Sequence, residues 1–313
     1  MPLAVVCASH TPLMHRGPVN AGTEDRVTAA IKNLAEFVKD YQPDYVIQFS
    51  PDHFNGFLYD MMPPFCIGAG AVSLGDWGGA TGPLDVPEQT ALALAEHLRA
   101  DCFDIALSYR MSVDHGFVQI WQEMLGDFRA LPIIPIFVNG AAPPLPTYQR
   151  VRRLGESVGR FAAGSGNRVL LAASGGLSHD PPVPSIGDAD TKLRERLING
   201  RNPDQEARRA REGRTLELGI LGAAGKGPCM PLNPEWDTEF VAMLRDSNVM
   251  QADALNTDNV RAVAGRGANE ALCWVAAFGA LSVAGPYTVE SKFYEAIPGW
   301  IAGFATMSGR QTR

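Results

Sequence analysis

Cysteine is scarce in this 313-residue sequence and is not arranged in pairs. The five cysteines are scattered along the chain, without a Cys-x-x-Cys spacing: Cys7, Cys66, Cys102, Cys229 and Cys273. An odd, scattered set argues against a disulfide framework and against a zinc site built from paired thiolates. The pattern is typical of reduced thiols, so we predict a cytoplasmic protein.

The sequence also has little charge and no strongly basic segment. Charged residues make up 19% of the chain and the net charge is −7, which argues against nucleic acid or an anionic membrane surface as the main partner. No run approaches the roughly 20 apolar residues that cross a bilayer. The N-terminus lacks the positive region and cleavage site of a signal peptide. We therefore expect a small-molecule partner, and neither nucleic acid nor a membrane.

Short β-rich runs alternate with helical patterns along much of the chain. The predicted strands cover residues 3–8, 45–49, 105–108, 133–138 and 169–173. The predicted helices cover residues 23–41, 87–100, 233–244 and 268–281. Strands that alternate with helices predict a single α/β domain, residues 1–313, with a central mixed or mostly parallel sheet flanked by helices.

Two segments differ from this pattern. Residues 188–227 are charged, rich in arginine and helical in propensity, so we interpret them as a solvated helical excursion without a chemical motif. Residues 297–304 combine a Pro-Gly turn with Trp300, Ile301 and Phe304, which is typical of a packing or subunit-contact segment.

The six histidines lie in unequal surroundings. His97 lies within a plain amphipathic helix and His15 lies beside Arg16 in a loop, so we expect both to be structural or solvated. The other four each follow a β-rich run, in segments rich in small or turn-forming residues: His10, His53, His115 and His179. Any one of them alone is more often a hydrogen-bonded loop residue than a ligand. Because ligands of open α/β sheets bind beyond the carboxyl ends of strands, we expect the four imidazoles to converge on one crevice.

A buried carboxylate would complete a metal site, and Glu270 is the candidate. It shares a helical stripe with Trp274, Ala277 and Phe278, where an unpaired carboxylate is costly. The alternative is a solvated glutamate in the first turn of the helix, favoured by the helix dipole. Two histidines and one carboxylate with open coordination positions are typical of non-haem Fe(II) oxygen chemistry.

Other residues near these candidates are expected to support the site or to have no part in it. Asp52 and Asp114 precede His53 and His115, but adjacent residues of an extended chain point to opposite faces. We therefore expect these aspartates to hold the site together rather than to bind metal. The glycine-rich segments at residues 68–70 and 265–267 lack the spacing of a phosphate loop, so no nucleotide site is predicted.

Several motifs make the sequence resemble the class III extradiol ring-cleavage dioxygenases. They include Ser-His-Thr-Pro-Leu at 9–13, Pro-Asp-His-Phe-Asn-Gly-Phe at 51–57, Val-Asp-His-Gly-Phe at 113–117, Gly-Gly-Leu-Ser-His-Asp-Pro-Pro at 175–182 and Asn-Glu at 269–270. The resemblance covers nearly the whole chain and weakens only in residues 188–227. Together these motifs are specific, although none of them is specific alone.

The resemblance implies a role for each candidate residue. By it, His10, His53 and Glu270 bind Fe(II), while His115 is the proton donor and His179 the proton acceptor beside the substrate. The sequence leaves open whether these acid and base roles are exchanged. The resemblance further implies a catecholic acid and O2 as substrates, and a homo-oligomer, often of four subunits.

Two alternative functions and the side chain of the substrate stay open at this point. A zinc hydrolase would use the same ligands to activate water, but zinc prefers closed sites rich in His or Cys, or a His-Glu-x-x-His helix, which the sequence lacks. A non-catalytic metal-binding relative would not need His115 and His179 beside a complete ligand set. Arg16, Arg110 and Lys292 are candidates for contact with a substrate carboxylate.

Overall fold

The computed structural model describes residues 2–182, 184–187, 189–201, 203–283 and 285–312. Its strands are β1 Ala4–Ala8, β2 Tyr45–Ser50, β3 Phe65–Gly68, β4 Ala71–Leu74, β5 Thr81–Pro83, β6 Ala106–Ser108, β7 Met111–Val113, β8 Ile133–Val138, β9 Val169–Ser174, β10 Tyr287–Ile297 and β11 Ala302–Gln311. Its helices are α1 Thr23–Tyr41, α2 Glu88–Ala100, α3 His115–Leu125, α4 Tyr148–Gly164, α5 Thr191–Asn199, α6 Gln205–Ala223, α7 Pro234–Arg245, α8 Thr257–Ala264 and α9 Ala271–Ser282. Short 3-10 helices lie at Asp76–Gly78, Val249–Ala254, Ala268–Glu270 and Pro298–Trp300. No helix within these described ranges is both long and apolar enough to span a bilayer.

A mixed eight-stranded sheet forms the centre of the described chain, with strand order β10-β11-β1-β9-β2-β8-β3-β6. The middle strands β1, β9, β2 and β8 are parallel, whereas β11 and β3 pair antiparallel at their two flanks. A smaller sheet has the order β5-β4-β7. The predicted α/β fold with a mixed central sheet is confirmed. Because parallel neighbours end at the same edge, the segments after β1, β9 and β2 emerge side by side.

The alternation of side chains along each strand divides the core into two apolar layers. In β1, Val5 and Cys7 belong to the layer that contains α4 and α9, whereas Ala4 and Val6 belong to the layer that contains α1 and α3. Every residue of β1 is buried. Coverage on both faces is the reason why the central strands read in the sequence as continuous apolar runs.

Helix α9, which lies in the region predicted as a helix at residues 268–281, is buried on every side. All residues from Ala271 to Leu281 are buried, because α9 contacts the sheet strands on one side and α4 on another. Glu270 ends the short 3-10 helix just before α9. A carboxylate in this position is shielded from water and needs partners within the protein.

The C-terminal region forms a long antiparallel hairpin that the sequence analysis did not predict. The pairing of β10 with β11 runs from Tyr287 and Gln311 to Ile297 and Ala302, and β11 joins the sheet beside β1. Residues 297–304, expected to be a packing or subunit-contact segment, form the turn of this hairpin and the start of β11. The hairpin therefore packs this segment within its own subunit.

The contact between α4 and α9 depends on glycine. A Cβ at Gly155 would lie 2.0 Å from the carbonyl oxygen of Ala276, and one at Gly159 would lie 2.2 Å from that of Ala280. We predict that Gly155→Ala lowers the free energy of unfolding by about 1–3 kcal/mol, because the two helices must move apart. Gly164→Ala is the matched control, since a Cβ there meets open space, and it should be neutral or slightly stabilising. Denaturant unfolding measures both, and equal stability of the two variants would contradict the close packing.

Candidate metal centre and active site

Three of the predicted histidines follow adjacent parallel strands of the large sheet. His10 lies two residues after β1, His53 three residues after β2 and His179 five residues after β9. Since these strands are neighbours, their loops meet at one edge of the sheet. The Nε2 atoms of His10 and His53 are 3.3 Å apart there.

His115 reaches the same crevice by a different route. It is the first residue of α3 and follows β7 of the small sheet, not a strand of the large one. Its ring stacks on that of His53 with the ring centroids 4.4 Å apart, and the His10 ring lies 5.3 Å away. The structure thus brings together the four imidazoles that were expected to converge, although β7 was not among the predicted strands.

The Glu270 carboxylate lies among these imidazoles and is only 3% exposed. Its Oε1 atom is 3.2 Å from Nε2 of His53 and 3.2 Å from Nε2 of His179. Its Oε2 atom is 3.6 Å from Nε2 of His10 and accepts a hydrogen bond of 2.8 Å from the N–H of Gly176. The carboxylate is therefore buried and partnered, unlike the solvated first-turn glutamate considered as an alternative.

Polar side chains hold the other ring nitrogens of two histidines. Nδ1 of His10 lies 2.9 Å from Oγ of Ser174, and Nδ1 of His53 lies 3.0 Å from Oδ2 of Asp114. Such partners orient an imidazole so that its Nε2 atom can bind a metal. Two imidazole nitrogens and a buried carboxylate form a donor set that fits a divalent metal.

His115 is also close enough to share a metal site. In two groups that include it, the ligand atoms lie within 4.8 Å of one another: His10, His53 and His115, and Asp76, Asp114 and His115. Asp76 contacts His115 twice, since Oδ2 lies 2.5 Å from Nδ1 and Oδ1 accepts a hydrogen bond of 2.8 Å from the backbone N–H. Asp76 was not among the residues predicted for the site, because an aspartate within a glycine-rich turn shows no local relation to a distant histidine.

Glycine allows the His179 ring to pack closely. A Cβ at Gly267 would lie 2.1 Å from Nε2 of His179, and one at Gly176 would lie 2.7 Å from the ring. Nδ1 of His179 donates to the carbonyl oxygen of Leu177 at 2.9 Å, which leaves Nε2 facing Glu270. The glycine-rich segment at residues 265–267 therefore makes room for an imidazole.

Burial and neighbouring charges shift the pKa values of these groups. Burial lowers the pKa of His10 to about 3, which keeps its imidazole neutral. Burial alone would raise the pKa of Glu270, but the imidazoles of His179 and His10 hold that pKa well below its usual value. Burial opposes a charge on His53, yet the carboxylates of Asp114 and Glu270 raise its pKa well above 6.5. A metal cation among these groups would take the place of that proton.

The cluster opens into a cavity of about 540 Å³ that the four histidines and Glu270 help to line. Helices α5 and α6 supply four arginines to the lining: Arg196, Arg208, Arg211 and Arg214. The segment interpreted as an excursion without a chemical motif thus forms part of the candidate site. Among the described residues that line the cavity there is no Arg16, Arg110 or Lys292, which the sequence analysis had suggested as carboxylate contacts.

The remaining histidines lie apart from the cluster. His15 is exposed, with Nε2 3.4 Å from Glu123 Oε2, and His97 is half-buried, with Nε2 3.1 Å from the carbonyl oxygen of Ser157. Both therefore occupy the structural or solvated positions expected of them.

Asp52 and Asp114 support the loop that carries His53. Asp52 accepts hydrogen bonds of 2.8 to 3.1 Å from three backbone N–H groups in the loop after β2: Asn55, Gly56 and Phe57. Asp114 accepts from the backbone N–H of His53 at 2.9 Å as well as from its ring. The structure thus gives both aspartates the supporting positions that were expected.

Comparison with known proteins supports the resemblance over nearly the whole chain. A family model described as "Catalytic LigB subunit of aromatic ring-opening dioxygenase" matches residues 4–305. A curated protein of Cupriavidus pinatubonensis, named "2,3-dihydroxyphenylpropionate/2,3-dihydroxicinnamic acid 1,2-dioxygenase", is 46% identical over 310 residues, which cover 98% of each chain. A protein of the same name from Rhodococcus jostii is 47% identical over 304 residues, which cover 97% of each chain.

The two aspartates that hold imidazoles should differ in their effect on metal binding. Asp114→Asn takes the carboxylate away from Nδ1 of His53, so we predict that the affinity for a divalent metal falls about 10- to 100-fold. Asp76→Asn changes the support of His115 in the same way and is the matched variant, whose metal affinity should stay near that of the parent. Anaerobic metal titration measures both affinities. An equal loss in Asp76→Asn would make His115 a metal ligand.

Proposed function

The chain belongs to the LigB family of catalytic subunits of aromatic ring-opening dioxygenases, and we propose that it opens the ring of 2,3-dihydroxyphenylpropionate and 2,3-dihydroxycinnamate. As an extradiol dioxygenase, it cleaves a catechol beside its two hydroxyls and incorporates both atoms of O2. The proposed product is a ring-opened 2-hydroxy-6-oxo-dienedioate, formed in the catabolism of aromatic compounds. The names of the curated relatives, which are 46% and 47% identical, support this substrate.

We propose that the metal is Fe(II), held by His10, His53 and Glu270. The observation that supports it most is the convergence of their donor atoms, which lie 3.2 to 3.6 Å apart at the cavity. Two imidazoles and one carboxylate are the ligand set of many non-haem Fe(II) oxygenases. When bound, Fe(II) would supply open positions for the catechol oxygens and for O2.

His179 and His115 are proposed to move protons beside the metal. His179 lies 3.2 Å from Glu270, and we assign it as the proton acceptor for a catechol hydroxyl. His115 stacks on His53 and is held by Asp76, and we assign it as the proton donor to a substrate oxygen as the ring opens. Proton transfer by a positioned side chain typically contributes about 10²- to 10⁴-fold to the rate.

Assembly and location stay predictions. We propose a homo-oligomer, with four subunits as the expected number, on the strength of the family resemblance. The scattered cysteines support a cytoplasmic location, where thiols stay reduced.

Oxygen uptake tests the proposed function. Protein loaded anaerobically with Fe(II) should consume one O2 for each 2,3-dihydroxyphenylpropionate and form a product with the mass of the substrate plus O2. Zinc-loaded protein should be inactive, because Zn(II) has no redox chemistry. Full activity of a zinc-loaded, iron-free preparation would refute the iron assignment. Hydrolysis without oxygen uptake would favour a hydrolase, and no turnover with either metal would favour a non-catalytic relative.

Substitution should separate the iron ligands from the other residues of the cavity. His10→Ala, His53→Ala and Glu270→Ala should each lose bound iron, because each removes one of three protein donors. Elemental analysis measures the iron, and circular dichroism checks that the variants remain folded. His97→Ala is the control and should keep its iron. Normal iron content in Glu270→Ala would mean that the carboxylate ligand lies elsewhere.

The two proton-transfer histidines should show the opposite behaviour. His115→Gln and His179→Gln should keep their iron but lower kcat by about 10²-fold or more, since glutamine keeps some hydrogen bonding yet cannot exchange a proton near neutral pH. Steady-state oxygen uptake together with elemental analysis measures both quantities. Loss of iron from either variant would make that histidine a ligand instead.

A further inference from the structure

Helices α5 and α6 place four arginines at the cavity: Arg196, Arg208, Arg211 and Arg214. In the part of the chain that the structure describes, none of the four forms an ion pair with a carboxylate, whereas arginines elsewhere do, such as Arg266 with Asp180. Against these four arginines, the same helices contribute the acidic Glu217 to the lining. Their part of the lining therefore carries more positive than negative charge.

The charges of Arg196, Arg211 and Arg214 lie close enough together to interact. Burial lowers the pKa of Arg196, and the charges of Arg211 and Arg214 lower it further. Like charges gathered around a cavity repel one another, so the cluster gains most from an anion that enters from solvent. A cleft lined by one sign of charge also concentrates substrates of the opposite sign. This part of the cavity therefore favours an acid over a neutral aromatic.

Arg211 connects the arginine cluster to the metal site. Its Nη2 atom donates to Oδ1 of Asn55 at 3.2 Å, and Nδ2 of Asn55 donates to Oδ2 of Asp114 at 2.8 Å. The same Asp114 oxygen lies 3.0 Å from the His53 ring. Arg211 is thus held close to a metal ligand, with Asn55 and Asp114 in between. A guanidinium has five N–H donors and Asn55 takes one of them, so others can reach a ligand in the cavity.

We propose that Arg211, assisted by Arg208, binds the side-chain carboxylate of the substrate and so selects catechols that carry an acid. The identity of the ring rests on the proposed function. Arg208 is half-buried and precedes Arg211 by three residues of α6, which places both on one face of the helix. The planar N–H groups of arginine match a carboxylate in pairs. Arg16, suggested from the sequence, instead donates to the carbonyl oxygen of Trp77.

The experiment compares 2,3-dihydroxyphenylpropionate with 3-propylcatechol, which has a side chain of the same length without the carboxylate. The measured quantity is the preference for the acid, given by the ratio of the two kcat/KM values in the iron-loaded protein. Arg211→Ala should lower this preference about 10- to 100-fold, as expected for a lost hydrogen bond to a charged group, and Arg208→Ala should lower it less. Arg211→Lys should restore part of it, since the charge is kept but the paired geometry is lost. Arg209→Ala is the matched control, because Arg209 is exposed and lies on another face of the same helix.

An unchanged preference in Arg211→Ala overturns the proposal. Arg211→Gln provides a second variant that removes the charge but keeps a polar side chain. Iron content near that of the parent in both variants shows that the loop of Asn55 is undisturbed, so a loss of preference then reports the carboxylate contact. Calorimetric binding of 3-phenylpropionate, which has the carboxylate but no hydroxyls, measures the same contact without turnover. If the parent protein cleaves neither catechol, the proposed function is wrong. The arginine proposal is tested separately by binding, and it is overturned if the parent and Arg211→Ala bind 3-phenylpropionate equally well.

Discussion

A single buried carboxylate sets the requirements for the whole site. Glu270 is almost fully enclosed, and a charge in such a place is stable only with partners that offset its lost hydration. Three imidazoles and one backbone N–H supply those partners. The imidazoles come from the loops after β1, β2 and β9, so the large sheet must hold these strands side by side. The fold thus brings segments that are distant in the sequence to one carboxylate.

The loops that carry the histidines are themselves fixed by buried aspartates. Asp52 accepts hydrogen bonds from three backbone N–H groups after β2. Asp76 contacts the backbone N–H and the ring of His115. Asp237 accepts hydrogen bonds from the backbone N–H and the hydroxyl of Ser178. In each loop a carboxylate accepts from backbone donors that no strand or helix satisfies. The same construction therefore satisfies the backbone in each loop, and Asp76 also orients the His115 ring.

The central strands and the clustered histidines could be predicted, because both leave local signals. A strand buried on both faces reads as an apolar run, and each of three histidines follows one. The hairpin of β10 and β11 was missed, since exposed and half-buried residues interrupt β10, and β11, although buried, consists largely of small and polar residues. Asp76 and Arg211 were missed for another reason. Asp76 contacts His115, 39 residues away, and Arg211 contacts Asn55, 156 residues away. A local sequence pattern cannot predict contacts between residues so far apart in the chain.

The pairing of β1 has a consequence for the way the protein is made. β1 is synthesised long before its neighbours in the sheet, which are β9 at residues 169–174 and β11 at residues 302–311. The backbone of β1 therefore lacks both strand partners while most of the chain emerges from the ribosome, and pairing over such distances is slow. His10 and Glu270 likewise meet only after this delay. The three donors of the proposed metal site can therefore come together only after Glu270 has left the ribosome.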